Sequence, residues 1–537
     1  MKKIILISYF ILTGCAWTMY SNERLESTPT ETPSHASFLI NMDRGNENVL
    51  TALALSGGGS RSAYLSAKIM LELQNMFEDI DLLQEVDVIS SVSGGSIPAS
   101  YYCLSENPGR ATIVKYFSEF DENKISETTK KQIIHDENFR KKKLLGFSGK
   151  MSEEQKLELL KAFKDQRSQD KIHKLYNLTQ FDLKARRKWE PKRVKKLMKR
   201  NYLQRWILNW FWPQNVVLYW TSPYDRSDIL AQTFADSLFD APFHKEYILS
   251  PWRIGKDFKF RHLNPERPYL ILNTAESTEN EYVNGKIKKH FGCIFTFTKE
   301  DFEIKLNSDI NKFPLAKAVV ASAAFPAALN NITLRDYSES QSNSKKYRHF
   351  FDGGNVDNLG LTTIQKVIQI NKENYDRFVV ILVDAFTEPT GASKDRADTR
   401  ELYFFERFID LNFLYTFDSL LTKNRKRVLN AFDSFKKQFE DNNNNKKIIF
   451  CHITFEDLEE DENGELKRKL DSIPTNFMIS DEHTELIDKA LKKILDKNRD
   501  SLNEIREVVL NTAQRKTPKQ KLAVTIDSFI ESENGCK

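Results

Sequence analysis

The chain has 537 residues, 40% hydrophobic and 29% charged, with 80 Lys and Arg against 75 Asp and Glu for a formal net charge of +5. That is enough apolar material for a sizeable core, and a mean hydropathy of -0.52 excludes a polytopic membrane protein. The five cysteines, Cys15, Cys103, Cys293, Cys451 and Cys536, contain no C-x-x-C pair, so no zinc or redox motif is present and no metal or cofactor is expected.

At the amino end, Lys2 and Lys3 make a basic start and Ile4 to Leu12 an apolar run of about nine residues. A helix that spans a bilayer needs about 20, so the run reads as an export signal. It closes on Leu12-Thr13-Gly14-Cys15, which resembles the lipobox of bacterial lipoproteins. That resemblance implies removal of residues 1–14 and acylation of Cys15. With Ala16 next, it also implies residence on the periplasmic face of a Gram-negative outer membrane. An ordinary secretory signal with an incidental cysteine is the competing reading. The rest of 15–47, Ser-, Thr-, Glu- and Pro-containing around Ser27-Thr28-Pro29-Thr30-Glu31-Thr32-Pro33-Ser34, reads as a flexible tether.

From Leu50 the pattern becomes that of an α/β domain. Leu50 to Leu55 is a short apolar strand. It leads into Gly57-Gly58-Gly59-Ser60-Arg61, where several backbone N–H groups are exposed before an amphipathic helix from Ala63 to Leu73. Val86 to Ser90 is a second strand, broken by Ser91-Val92-Ser93-Gly94-Gly95 and resumed as a helix from Ile97, with Pro98 tolerated in its first turn. Such an elbow lifts Ser93 out of the sheet, and its glycines leave room for the turn. Arg348 to Phe351 is a third strand, ending in Asp352-Gly353-Gly354.

These three elements, in this order, resemble the patatin-like phospholipase family. So do Asn273-Thr274-Ala275-Glu276, Ala321-Ser322-Ala323-Ala324-Phe325-Pro326 and Ile473-Pro474-Thr475-Asn476-Phe477. The likeness runs from Leu50 to Leu495. It implies a three-layer α/β/α fold with a mostly parallel central sheet, and a lipid acyl hydrolase working through a nucleophile, Ser93, and a base, Asp352. Gly57, Gly58, Gly59 and Arg61 would form the oxyanion hole, Ser91, Gly94 and Gly95 the elbow, and Gly353 and Gly354 the base loop. Ser91 and Ser62 stand where the family carries glycines, which keeps open a non-enzymatic lipid-binding lipoprotein of the same fold. Three other readings compete. The triglycine partly matches a dinucleotide fingerprint; Asp384 or Asp357 could replace Asp352; and a triad would need His349, His452 or His483.

The catalytic domain is expected over 48–395, interrupted by an insertion at about 138–214. Between Lys184 and Arg205 this insertion is a basic helix that includes Lys195, Lys196, Lys199 and Arg200, and it runs into Trp206, Trp210 and Trp212. Cations followed by tryptophans suit a membrane interface, with phospholipid and acyl ester as partners. A solvated helix over a buried aromatic cluster is the plain alternative, and a nucleic-acid role is set aside because an exported protein rarely meets DNA. Residues 396–537 are expected to be a helix-rich extension packing on the core, with one strand over Lys447 to Ile453.

Overall fold

The computed structural model describes residues 22–25, 48–105, 188–240, 257–264, 267–283, 286–326, 328–338, 346–388, 413–443, 445–458 and 464–512. Cys15, most of the expected tether and residues 138–187 of the insertion lie outside them. At the centre is an eight-stranded sheet of β1 (Val49–Leu55), β2 (Val88–Val92), β3 (Tyr269–Glu276), β4 (Ile294–Phe297), β5 (Ile332–Asp336), β6 (Lys346–Asp352), β7 (Arg377–Asp384) and β8 (Lys447–Thr454). The order is β8-β7-β1-β2-β3-β6-β5, with β4 also paired to β3. From β8 to β3 the strands run parallel, and β4, β5 and β6 add antiparallel pairings at one end.

Strict alternation makes both faces of this sheet apolar. In β1, Val49, Leu53 and Leu55 enter one core cluster while Leu50, Ala52 and Ala54 enter the other; in β7, Val379, Ile381 and Val383 oppose Phe378, Val380 and Leu382. Helices α1 (Gly59–Asn75), α2 (Ser96–Leu104), α3 (Pro191–Met198), α4 (Tyr202–Trp210), α5 (Pro213–Thr221), α6 (Arg226–Ser237) and α7 (Leu315–Ser322) follow in chain order. They are joined by α8 (Leu361–Asn371), α9 (Phe413–Asn442), α10 (Asp481–Lys497) and α11 (Arg499–Thr512). The first cluster is covered by α1, α2, α10 and α11, among others, and the second by α8 and α9. The result is the expected three-layer α/β/α arrangement around a mostly parallel sheet.

Three boundaries differ from the sequence reading. The domain does not stop at 395: β8 pairs with β7 over its whole length, so the carboxyl segment supplies an edge strand as well as helices. The basic stretch is not one helix. α3 ends at Met198, and Asn201 opens α4 by accepting a hydrogen bond from the Gln204 N–H at 2.8 Å. The tether, finally, is interrupted. Glu23 and Arg24 pair antiparallel with Asp309 and Ser308, and the buried Asn22 side chain donates to the Arg335 carbonyl at 2.8 Å and accepts from its N–H at 2.9 Å. An amide that matches both groups of one residue stands in for a neighbouring strand at the exposed edge of β5.

A chain ending at residue 395 would therefore lose an edge of its sheet. We expect it to aggregate, as size-exclusion chromatography and far-UV circular dichroism would report; a soluble monomer melting cooperatively would contradict the integration of β8.

Candidate active site

The site is built where two strands meet end to end. β4 lies along one edge of β3, opposite Leu272–Ala275, which leaves the other edge to be shared. β2 takes Tyr269–Asn273 in parallel and stops at Val92; β6 takes Thr274–Glu276 antiparallel and stops at Asp352. Ser93, the next residue after Val92, is thus delivered opposite the carboxylate of Asp352, and Ser93 Oγ donates to Asp352 Oδ2 at 2.9 Å.

Ser93 holds a positive φ of 49°, a conformation that costs a non-glycine residue about 1–3 kcal/mol and persists only where its surroundings impose it. The constraint comes from the residues at the end of α7. Ser322 Oγ accepts the Ser93 N–H at 3.0 Å and donates to the Asn273 carbonyl at 2.7 Å. The Ser322 and Ala324 carbonyls accept the N–H groups of Gly353 and Asp352. One short segment therefore grips nucleophile and base together. Asn273 fixes the floor, donating to Ser90 Oγ and the Ser91 carbonyl and accepting from Thr363 Oγ1 at 2.6 Å. Gly94 and Gly95 sit against backbone: a Cβ on Gly94 would fall 2.1 Å from the Gly59 oxygen, and one on Gly95 would fall 2.7 Å from the Leu55 oxygen. Ser91 is accommodated because its hydroxyl donates to the Ile271 carbonyl and lies 3.1 Å from Ser96 Oγ; Ser62 is likewise bonded, to the Ser56 carbonyl.

Burial pushes the Asp352 carboxyl up to about 6, against the lowering effects of the Gly354 N–H and the Ser93 hydroxyl. A carboxylate in that range can accept a proton near neutrality. The two rival aspartates have structural posts. For Asp384, burial raises the pKa, but contacts from His452 at 3.1 Å and Arg425 at 2.7 Å outweigh it and hold the carboxyl below its ordinary value. Asp357 accepts the N–H groups of Leu359, Gly360 and Thr362, the turn into α8. His349 contacts Thr333, and the backbone N–H of His483 is capped by Ser480 Oγ. Among the described residues no histidine touches Ser93 or Asp352.

The glycine loop lies against the nucleophile, and only part of it is available to an oxyanion. Gly57 approaches Ser93 Cβ closely, but its N–H donates to the Asn358 carbonyl at 2.9 Å, so it is not a free donor. Arg61 also departs from expectation: its buried guanidinium bonds the carbonyls of Ala385 and Ile473 and Thr475 Oγ1, bracing the loop from behind. Gly58 and Gly59, with φ of 136° and 58°, adopt conformations that side chains rarely take, and their N–H groups have no acceptor among the described residues. They stand at the amino end of α1, where the helix dipole favours negative charge. The 473–477 segment completes the wall: the Asn476 carbonyl accepts the Ser60 N–H, and a Cβ on Gly59 would meet it at 2.4 Å.

The basic and aromatic residues singled out for membrane contact are mostly engaged within the protein. Lys195 pairs with Asp488 and Lys199 with Asp481, while Arg200 donates to the Ser237 carbonyl. Trp206 is buried with its indole N–H on the Arg226 carbonyl, and Trp210 packs beside it and Tyr219. Lys196 and Trp212 remain exposed. The role of Ser322 escaped sequence reading, although the segment containing it stood out as a likeness; nothing in the chain pattern points its hydroxyl at residue 93.

A mostly parallel α/β/α frame with a serine raised at the end of one strand is an arrangement that acyl hydrolases use. The sequence pattern of the family described as "Patatin-like phospholipase" matches residues 53–363, more than half of the 537, and the chain belongs to that family. Membership makes it a lipid acyl hydrolase. No curated protein matches the chain. Among solved structures it is similar to VipD from Legionella pneumophila at 12% identity, covering 85% of this chain and 67% of that one, with a TM-score of 0.26.

Two outcomes follow. Gly94→Ala forces elbow or loop to move, so kcat/KM for an ester should fall about 100-fold or more while circular dichroism stays native. Asp352→Asn should stabilise the fold near neutrality. The buried carboxyl is raised above the unfolded value of about 3.9, so wild type loses stability as pH rises from about 4 to about 6, by up to about 3 kcal/mol, and does not regain it above. Calorimetry across that window should show the variant's advantage growing with pH; a constant difference would contradict it.

Proposed function

We propose that this protein hydrolyses the acyl ester of a phospholipid or lysophospholipid through Ser93 and Asp352 by way of an acyl-enzyme, while anchored to a membrane. The observation that carries the reading is the 2.9 Å hydrogen bond from Ser93 Oγ to a buried carboxylate of raised pKa. A serine hydroxyl needs a base to become nucleophilic, and Asp352 is the only ionisable group in contact with it among the described residues.

In the first step Asp352 takes the Ser93 proton as Oγ attacks the ester carbonyl. The oxyanion forms against the Gly58 and Gly59 N–H groups, donors whose individual loss typically costs about 10² to 10³ in rate. Asp352 then gives its proton to the departing alcohol. Water enters, yields a proton to Asp352, and releases the fatty acid as Ser93 recovers its own. The donors suit this sequence because neither N–H has an acceptor among the described residues and each can serve a developing negative charge.

The membrane part of the reading rests on the amino terminus. Acylation of Cys15 would hold the enzyme on the periplasmic face of an outer membrane, with its substrate class in the same surface. Phospholipid and membrane, not nucleic acid, are the partners this implies.

Fatty-acid release from mixed phospholipid and lysophospholipid micelles tests the chemistry. Wild type should be active, and Ser93→Ala and Asp352→Asn should each lose about 10³-fold or more. Activity should fall about tenfold per unit as pH drops below about 6, because protonated Asp352 cannot act as base. An active Ser93→Ala would sink the assignment. For the anchor, labelled palmitate should enter the wild-type chain in cells and be absent from Cys15→Ser.

A further inference from the structure

The helical hairpin of α4 and α5 presents six large apolar side chains to solvent: Ile207, Leu208, Phe211, Trp212, Val217 and Trp220. Phe211 is 74% exposed and Trp220 79%, values out of keeping with side chains of their size in a soluble domain. The opposite side of the same hairpin is firmly seated. Tyr202, Trp206 and Leu218 are in the core, Asn209 bonds Thr233 Oγ1, and Asn215 bonds both the Asn209 carbonyl and Gln232. The apolar face is therefore held outward by a rigid support.

We infer that this face inserts into the surface of an anionic lipid bilayer and so brings the active site to its substrate; the inference rests on the lipid hydrolase reading above. Charge favours a bilayer. From Pro191 to Tyr224 the sequence has seven Lys and Arg and no Asp or Glu; Arg193, Lys195 and Lys199 are paired with Asp240, Asp488 and Asp481, and Lys192 and Lys196 are exposed with no ionic partner among the described residues. Exposed cations on α3, followed in the chain by exposed aromatic rings, fit the boundary between acyl chains and anionic headgroups. Among the described residues no helix is long and apolar enough to cross a membrane.

Position favours it as well. The Tyr202 and Leu203 N–H groups donate to the Phe477 carbonyl at 3.1 and 3.2 Å, and the adjacent Asn476 carbonyl accepts from Ser60 in the glycine loop. The hairpin thus starts on the wall of the site. Nine residues of helix extend about 14 Å, which places the exposed side chains within a lipid's length of that wall.

The test uses the full-length chain with Cys15→Ser, to remove any acyl anchor, and Ser93→Ala, to leave vesicles intact. It should sediment with vesicles of phosphatidylcholine containing about one third phosphatidylglycerol. Adding Phe211→Glu and Trp220→Glu should lower partitioning about tenfold or more. Lys192→Glu with Lys196→Glu should weaken binding to these vesicles and leave binding to pure phosphatidylcholine unchanged. A parent protein that stays in solution overturns the proposal. So does an apolar-face variant that binds as the parent does, or one whose only change is from dimer to monomer by ultracentrifugation, which would assign the face to a second copy. With Ser93 restored, the apolar-face variant should keep its rate on a soluble short-chain ester and lose it on vesicles. Failure of the wild type on the soluble ester would instead count against the hydrolase reading and leave the binding result intact.

Discussion

Everything at the site depends on two strands that share one edge of β3 from opposite directions. β2 and β6 end on neighbouring residues, Asn273 and Thr274, so the backbone hydrogen bonds of the sheet set the separation of Ser93 and Asp352 before any side chain is chosen. A mixed sheet is required for this, because two parallel strands along one edge could not end face to face. The Ser322 segment then locks the junction, which explains how Ser93 can be held at a positive φ. The glycines at 94, 95 and 353 belong to the same constraint, since each packs where a Cβ would strike main chain.

Asp352 and Asp384 show how environment separates residues of the same type. Both close a strand and both are buried. Asp384 faces Arg425 and His452 and is kept charged as a strut between β7, β8 and α9; Asp352 faces a hydroxyl and one N–H and is left with a raised pKa. The folded protein bears a destabilising ionised group at that position near neutrality, the usual cost of a reactive carboxylate.

Much of this was legible in the chain. The short apolar runs from Leu50 and Val86 gave the first two strands, the glycine runs gave the loop and elbow, and their order gave the family. What was hidden is long-range. The strength of β8 as a strand was visible, but not its place beside β7, because pairing partners are not written in local pattern. Lys195 and Lys199 looked like free cations since their partners, Asp488 and Asp481, lie far along the sequence. Arg61 sits beside the oxyanion glycines in sequence, yet its guanidinium turns toward residues 385, 473 and 475, which only the fold brings there. The break at Asn201 is different: an asparagine three residues before Gln204 was a readable cap, overshadowed by the density of charge around it.

The docking of Asn22 on the edge of β5 sets a length. Six residues lie between it and Cys15, and the seven residue steps, fully extended, reach at most about 25 Å. An acyl anchor at Cys15 would accordingly act as a short leash attached at a defined point on the rim of the sheet, in place of a long tether from residue 48. Such a leash restricts rotation as well as height: the enzyme could pivot about the β5 edge but could not turn that edge far from the bilayer.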